Sequence, residues 1–182
     1  RVPTGTCTSS ITNNVIRINH NFSSGVLDGI RSEGISTPLS TATININDNR
    51  FQTMSVLAAS SSTSTVGITN TSQCGVLNMN NNIFRGNNST ATTGGFTAIS
   101  NTGAVQTTVN INGNQIGDAS GNAITFSAAT SGALTGITCP TIAAGAALSI
   151  SNNNFQGFVQ SVAGSGAHTY ITYTHAANTA TT

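Results

Sequence analysis

Lysine and tryptophan are both missing from this 182-residue chain, and charged residues make up only 5% of it, against about a quarter in an ordinary soluble domain. The basic residues are five arginines set far apart, and the net charge is +1. With no basic run to neutralise a phosphate backbone, nucleic acid is excluded as a partner class. Glutamate occurs once, at Glu33, and the other strong helix formers are scarce, so helices lack their usual building material. No apolar run approaches the roughly 18 residues of a membrane-spanning helix, so no membrane span is expected. The three histidines are His20, His168 and His175. His168 and His175 have opposite parity and would face apart in one strand, and no metal-ligand spacing occurs. They read as structural or surface residues, and neither a metal nor another cofactor is expected.

What is present is Gly, Ser, Thr, Asn and β-branched residues in quantity. That mixture favours strands and turns. Regularly placed Ile, Val, Leu and Phe argue against disorder. The length suits a single domain spanning 1–182, with 1–10 and 176–182 as terminal segments free for subunit contacts. The chain begins at Arg1 and reads as a mature or excised piece.

One phrase recurs: "IRINHNF" at 16–22, "ININDNRF" at 44–51, "LNMNNNIF" at 77–84, "VNINGNQI" at 109–116 and "LSISNNNF" at 148–155. Its anchors are Ile18, Ile46, Met79, Ile111 and Ile150, each with an aliphatic residue two positions before it. Period two puts each such pair on one face of a strand. Three positions after each anchor stands an asparagine: Asn21, Asn49, Asn82, Asn114 and Asn153. A large apolar residue follows: Phe22, Phe51, Phe84, Ile116 and Phe155. The first copy is one residue short, and the first interval is 28 residues against 33, 32 and 39 for the rest. The asparagine marks a corner, since Asn tolerates left-handed backbone and bonds locally. A unit of this size with one strand cannot bury its apolar face alone, but it can when stacked on its neighbours. The asparagines then form a ladder and the apolar residues a core stack. A β-sandwich would not need one phrase at one offset, and no six-residue period appears.

The phrase resembles the repeat of the right-handed parallel β-helix, the pectate-lyase-like solenoid, over roughly residues 11–175. The resemblance implies an all-β fold of about five to six coils. Proteins of that type include polysaccharide lyases and hydrolases, phage tailspikes and secreted adhesins. The enzymes group carboxylates on one sheet face. The acids here are Asp28, Glu33, Asp48 and Asp118. Asp28 and Glu33 flank Arg31 but have opposite parity, and Asp48 falls where the other copies carry His20, Asn81, Gly113 and Asn152, a variability that suggests a solvent position. The N-T-D, D-D, G-H-G and R-I-K strings of polygalacturonases are absent. No enzymatic activity is expected.

An ice-binding face would need Thr in regular rows, and Thr clusters instead in loops such as "SSSTSTVGIT". Asn-x-Ser/Thr sequons occur at Asn21, Asn70, Asn87 and Asn88. Asn21 is assigned to the ladder, which leaves Asn70, Asn87 and Asn88 as the glycan acceptors. The cysteines are Cys7, Cys74 and Cys139. Cys7 and Cys139 both lie eleven residues before an anchor, so in a head-to-tail stack they would approach across the junction as an intermolecular disulfide. With little charge to keep copies apart, the expectation is a self-associating extracellular or cell-surface structural protein, a head-to-tail homo-oligomer. The alternative is a glycan-binding adhesin segment or a polysaccharide-active β-helix.

Overall fold

Alternating apolar and polar residues make short strands, and Gly, Asn and Asp make the corners between them. The computed structural model describes residues 7–34 and 41–176. Over these residues the chain is an all-β parallel solenoid of about five coils. The first coil contains β1 (Thr8–Thr12), β2 (Val15–His20) and β3 (Val26–Ser32); the second contains β4 (Thr43–Asn47), β5 (Arg50–Val56) and β6 (Ser64–Asn70). The third contains β7 (Cys74–Asn78), β8 (Ile83–Arg85), β9 (Asn87–Ser89) and β10 (Phe96–Asn101). The fourth contains β11 (Val105–Asn112), β12 (Gln115–Ile116), β13 (Ile124–Phe126) and β14 (Leu134–Ile142). The fifth contains β15 (Ala147–Ser151), β16 (Asn154–Phe155), β17 (Phe158–Gln160) and β18 (His168–His175).

The phrase builds one side of the stack from β1, β4, β7, β11 and β15. The opposite side stacks β3, β6, β10, β14 and β18. Between them run β2, β5, β8, β12 and β16, followed after a second corner by β9, β13 and β17. The stack therefore encloses one continuous core, in which Ile46, Met79, Ile111, Phe51, Phe84 and Ile116 have no solvent exposure. Ile150 and Phe155 are half-buried, because no described coil lies beyond the fifth.

The first coil departs from the sequence expectation. β1 pairs with β4 so that Ser9 meets Ile44 and Ile11 meets Ile46. The first copy of the phrase is therefore "SSITNNVI" at 9–16, with Ile11 as anchor, and the first interval is 35 residues. The segment 16–22 belongs to the next side: Ile16 lies beside Phe51, and Ile18 beside Met54. Ile18 is thus in a different column from the one expected, and Phe22 is 73% exposed in the loop after β2. The apparent one-residue deletion in the first copy was an alignment one corner too late. Serine at position 9 hid the true copy, and the "IRIN" string imitated it.

Core packing follows size matching between neighbouring coils. Phe51 and Phe84 stack with centroids 4.6 Å apart and planes 6° from parallel. On the opposite side, Gly29, Gly67, Ala98, Gly136 and Tyr170 share one register position, immediately before the column Ile30, Ile68, Ile99, Ile137 and Ile171. A Cβ on Gly29 would fall under 3.0 Å from the Phe51 ring, and Gly67 and Gly136 stand in the same relation to Phe84 and Phe155. Each glycine makes room for the phenylalanine of the following coil. Where that coil carries Ile116, the corresponding residue is Ala98.

Candidate functional site

The corner after the phrase strand has two parts that the sequence reading merged into one. The left-handed residue is not the ladder asparagine but the residue before it: Asn13 (φ 59°), Asp48 (60°), Asn81 (55°), Gly113 (69°) and Asn152 (55°). The variation at Asp48's position is thus a choice among the residue types that tolerate this backbone. His20 does not belong to the set; Asn13 takes its place.

The ladder itself consists of Asn14, Asn49, Asn82, Asn114 and Asn153. Each Asn Oδ1 from Asn49 onward accepts the backbone N–H and a side-chain N–H of its predecessor. For Asn49 on Asn82 these are 3.0 and 3.1 Å, and for Asn114 on Asn153 both are 2.9 Å. The side-chain amide also donates to the anchor carbonyl of the coil before it: Asn49 to Ile11, Asn82 to Ile46, Asn114 to Met79 and Asn153 to Ile111. Asn49, Asn82 and Asn114 are fully buried. Asn21 makes no part of this column and is exposed after β2. A second ladder on the far side went unread: Asn70 Nδ2 donates to Asn101 Oδ1 at 2.7 Å, and Asn101 Nδ2 to Cys139 Sγ at 3.3 Å. Its sequence signal was "ITN", "ISN" and "ITC" after variable spacers.

These contacts revise the acceptor list for glycans. Asn70 and Asn87 are buried, and their amides are bonded to Ser72 and Ala123 carbonyls. Asn88 is exposed. Asn21, which the ladder assignment had set aside, is exposed as well. The accessible sequons are therefore Asn21 and Asn88.

The cysteine positions also change. Cys7 is exposed just before β1, whereas Cys139 lies near the end of β14, fully buried in the column of Asn101. Their shared offset reflected the misplaced first anchor. The two do not occupy one position of the coil, and the expected junction disulfide loses its geometric basis. Cys74 is also buried, and burial pushes its thiol up to about 11. Burial raises Cys139 too, against the opposing hydrogen bond from Asn101.

Charge is distributed by the fold in a way that chain order concealed. Asp28 and Glu33 both bind Arg31, at 3.1 and 2.7 Å. They converge because the strand kinks at Gly29, where both Gly29 and the following Ile30 face the core; the parity argument assumed a straight strand. Arg17, Arg50 and Arg85 share the side built by β2, β5 and β8. Arg17 donates to Gln52 at 3.1 Å, and Arg85 pairs with Asp118 at 3.1 Å. Hydrogen bonds from Ser120, together with Arg85, hold the Asp118 carboxyl below its usual range. Arg50 has no carboxylate within salt-bridge distance among the described residues. It lines a groove of about 450 Å³ at the first corner with Asn13, Asn14, Val15, Asp48, Asn81 and Ile83.

Among the described residues, the strands of the first and fifth coils pair on one side only. Phe22, Val26 and Val15 are exposed at the first coil, and Tyr170, Ile171 and Tyr173 at the fifth. Tyr170 lies against Phe155 and stacks on Phe158 with centroids 5.8 Å apart. Tyr170 and Tyr173 have opposite parity, yet the kink places them above Gly136 and Cys139, two inward columns of the coil below. No family model matches the chain, and comparison with curated proteins and with solved structures returns no match either.

Proposed function

We propose that the protein is an extracellular or cell-surface structural solenoid whose copies stack head to tail. The observation that carries this reading is the polarity of the inner ladder. Every asparagine-to-asparagine side-chain bond in it points the same way, from Asn14 to Asn49, Asn82, Asn114 and Asn153. No described donor reaches Asn14 Oδ1, so the first coil offers an acceptor. Asn153 has one side-chain N–H committed to Ile111 and the other without a described acceptor, so the last coil offers a donor. Unlike ends are complementary and like ends are not, and a heterologous contact of this kind continues into a filament. Parallel edges at both ends would pair across the same junction, and the exposed apolar side chains would be covered.

The test is electron microscopy and sedimentation over a concentration series, with Phe22→Lys and Tyr173→Lys beside the wild type. Single-solenoid-wide rods that both end variants disperse are the expected result, with no change on adding reductant. A wild type that stays monomeric throughout would sink the proposal. The second reading, a glycan-binding adhesin segment, draws on the polar groove around Arg50. It expects glycan-array binding that Arg50→Ala removes.

A further inference from the structure

The phrase strands have an outer face as well as an inner one, and its register is exceptionally regular. Reading outward residues coil by coil gives Thr8, Ser10 and Thr12, then Thr43, Asn45 and Asn47, then Val76, Asn78 and Asn80. Thr108, Asn110 and Asn112 follow, and finally Ala147, Ser149 and Ser151. The result is a lattice of three columns and five rows. Its spacing is ~4.8 Å between rows and ~6.8 Å between columns, two residues of strand apart.

Several features set this face apart. Among the described residues, every charged side chain lies elsewhere: Arg17, Arg50 and Arg85 on the next side, Asp28 and Arg31 on the far side, and Asp48, Glu33 and Asp118 at corners or turns. Asparagine is disfavoured on strands, yet it fills the middle of this one, where the core does not require it. The amides are also held in place. Asn110 Nδ2 donates to Asn78 Oδ1 and Asn78 Nδ2 to Asn45 Oδ1, both at 2.8 Å, and Asn45 donates to Ser10 Oγ at 3.2 Å. In the third column Asn47 Oδ1 accepts the Asn80 N–H at 2.8 Å, and Asn80 Oδ1 accepts that of Asn112 at 2.9 Å. Their carbonyls are committed to the protein, and no described acceptor takes their side-chain N–H groups. These groups form a row of fixed donors at one rung per step.

We infer that this face binds ice. A rigid, uncharged lattice of amide and hydroxyl groups, interrupted only at Val76 and Ala147, complements a surface whose own hydrogen-bonding oxygens are periodic on a similar scale. Pre-fixed rotamers avoid the ordering cost that flexible side chains would incur. Charged groups would hold disordered hydration and break the match, and none is present on the face. A crystalline polysaccharide also presents periodic hydroxyls, but the face contains no aromatic ring on which sugar rings could rest. Thr in irregular loops was the reason to expect no such activity; the recurring register belongs to Thr, Asn and Ser together, on the strands.

The test is thermal hysteresis and ice-recrystallisation inhibition on the whole chain. Wild type should shape and restrain ice. Asn78→Arg, at the centre of the lattice, should lose the effect. Thr43→Tyr, which breaks no side-chain bond between rungs, should lose it too and covers the case in which Asn78→Arg fails to fold. Thr135→Arg, on the far side, should keep it. Absence of activity in the wild type overturns the inference, and so does activity that survives both face variants or is lost with Thr135→Arg. Adsorption to crystalline cellulose or chitin that Asn78→Arg and Thr43→Tyr abolish, without any effect on ice, would also overturn it.

Discussion

The first coil and the coils that follow it are built from the same phrase, yet they obey it unequally. Coils two to five have an aliphatic residue before the anchor, a ladder asparagine and a large apolar residue after the corner. Coil one has Ser9 before its anchor and an exposed Asn14, and its second corner is a residue shorter, since Ile16 and Ile18 span what Phe51 and Met54 span with one residue more. A residue in the middle of the stack is packed from both sides, so a wrong side chain there costs two interfaces. At the first coil it costs one among the described residues. Among the described residues, the phrase is kept in the coils packed from both sides and relaxed in coil one, which is packed from one side; coil five, also packed from one side, keeps it.

The sharpest way to break that comparison is to remove the same asparagine from each place. Asn82→Ala removes the side chain that bonds the Ile46 carbonyl and the Asn49 backbone N–H in a dry core, and should cost roughly 3 kcal/mol in urea denaturation. Asn14→Ala, at an exposed rung, should cost only about 0.5 kcal/mol. Equal losses would mean that the ladder is not a burial-dependent structure.

The next test concerns the size matching. Ile116→Phe should cost roughly 2 kcal/mol, because Ala98 occupies the place where coils one, two and four have Gly29, Gly67 and Gly136. Ala98→Gly in the same chain should restore most of that loss, and a double-mutant cycle measures the coupling. Additive effects would show that the two sites do not share space.

A smaller effect, of the opposite sign, is expected at the second corner. Gly86, Gly117 and Gly157 turn there with positive φ, but coil two uses Thr53 at φ 59°. A β-branched residue is strained in that region. Thr53→Gly should stabilise the protein by about 1 kcal/mol, raising the melting temperature.

The mildest prediction is one of reactivity. A thiol reagent should modify Cys7 quickly in the native protein, and Cys74 and Cys139 only after unfolding. The folded state holds the Cys74 proton more tightly than the unfolded chain does. Its contribution is therefore complete below the ordinary value of 9.0 and lost as pH rises toward about 11. Cys74→Ala should flatten the fall in stability over that range.

The parallel stack, the inner columns of coils two to five and four of the five ladder asparagines were readable from one short phrase. That phrase was readable because the period of a strand and the position of its corner are local properties. What failed was whatever depends on which residues end up side by side. Ser9 gave no apolar signal, so the first anchor was placed one corner late. Asn21, Phe22 and the apparent kinship of Cys7 with Cys139 fell with it. The pairing of Gly67 with Phe84 and the gathering of Arg17, Arg50 and Arg85 link residues a full coil apart, across spacers of unequal length. The kink at the register position shared by Gly29 and Tyr170 defeats parity on that side, for the acids and the tyrosines alike.

The inner ladder also has a kinetic consequence. Its asparagine-to-asparagine bonds join residues 32 to 39 apart, so the first rung-to-rung contact must close a long loop before anything stabilises it. Once two coils are in place, each later coil lays its strand along a finished edge. Folding should show a slow nucleus followed by rapid propagation. A finished edge does not distinguish the next coil of its own chain from one on another molecule. Under the proposed head-to-tail stacking, assembly from denatured protein should therefore begin after a lag, and preformed seeds should shorten it.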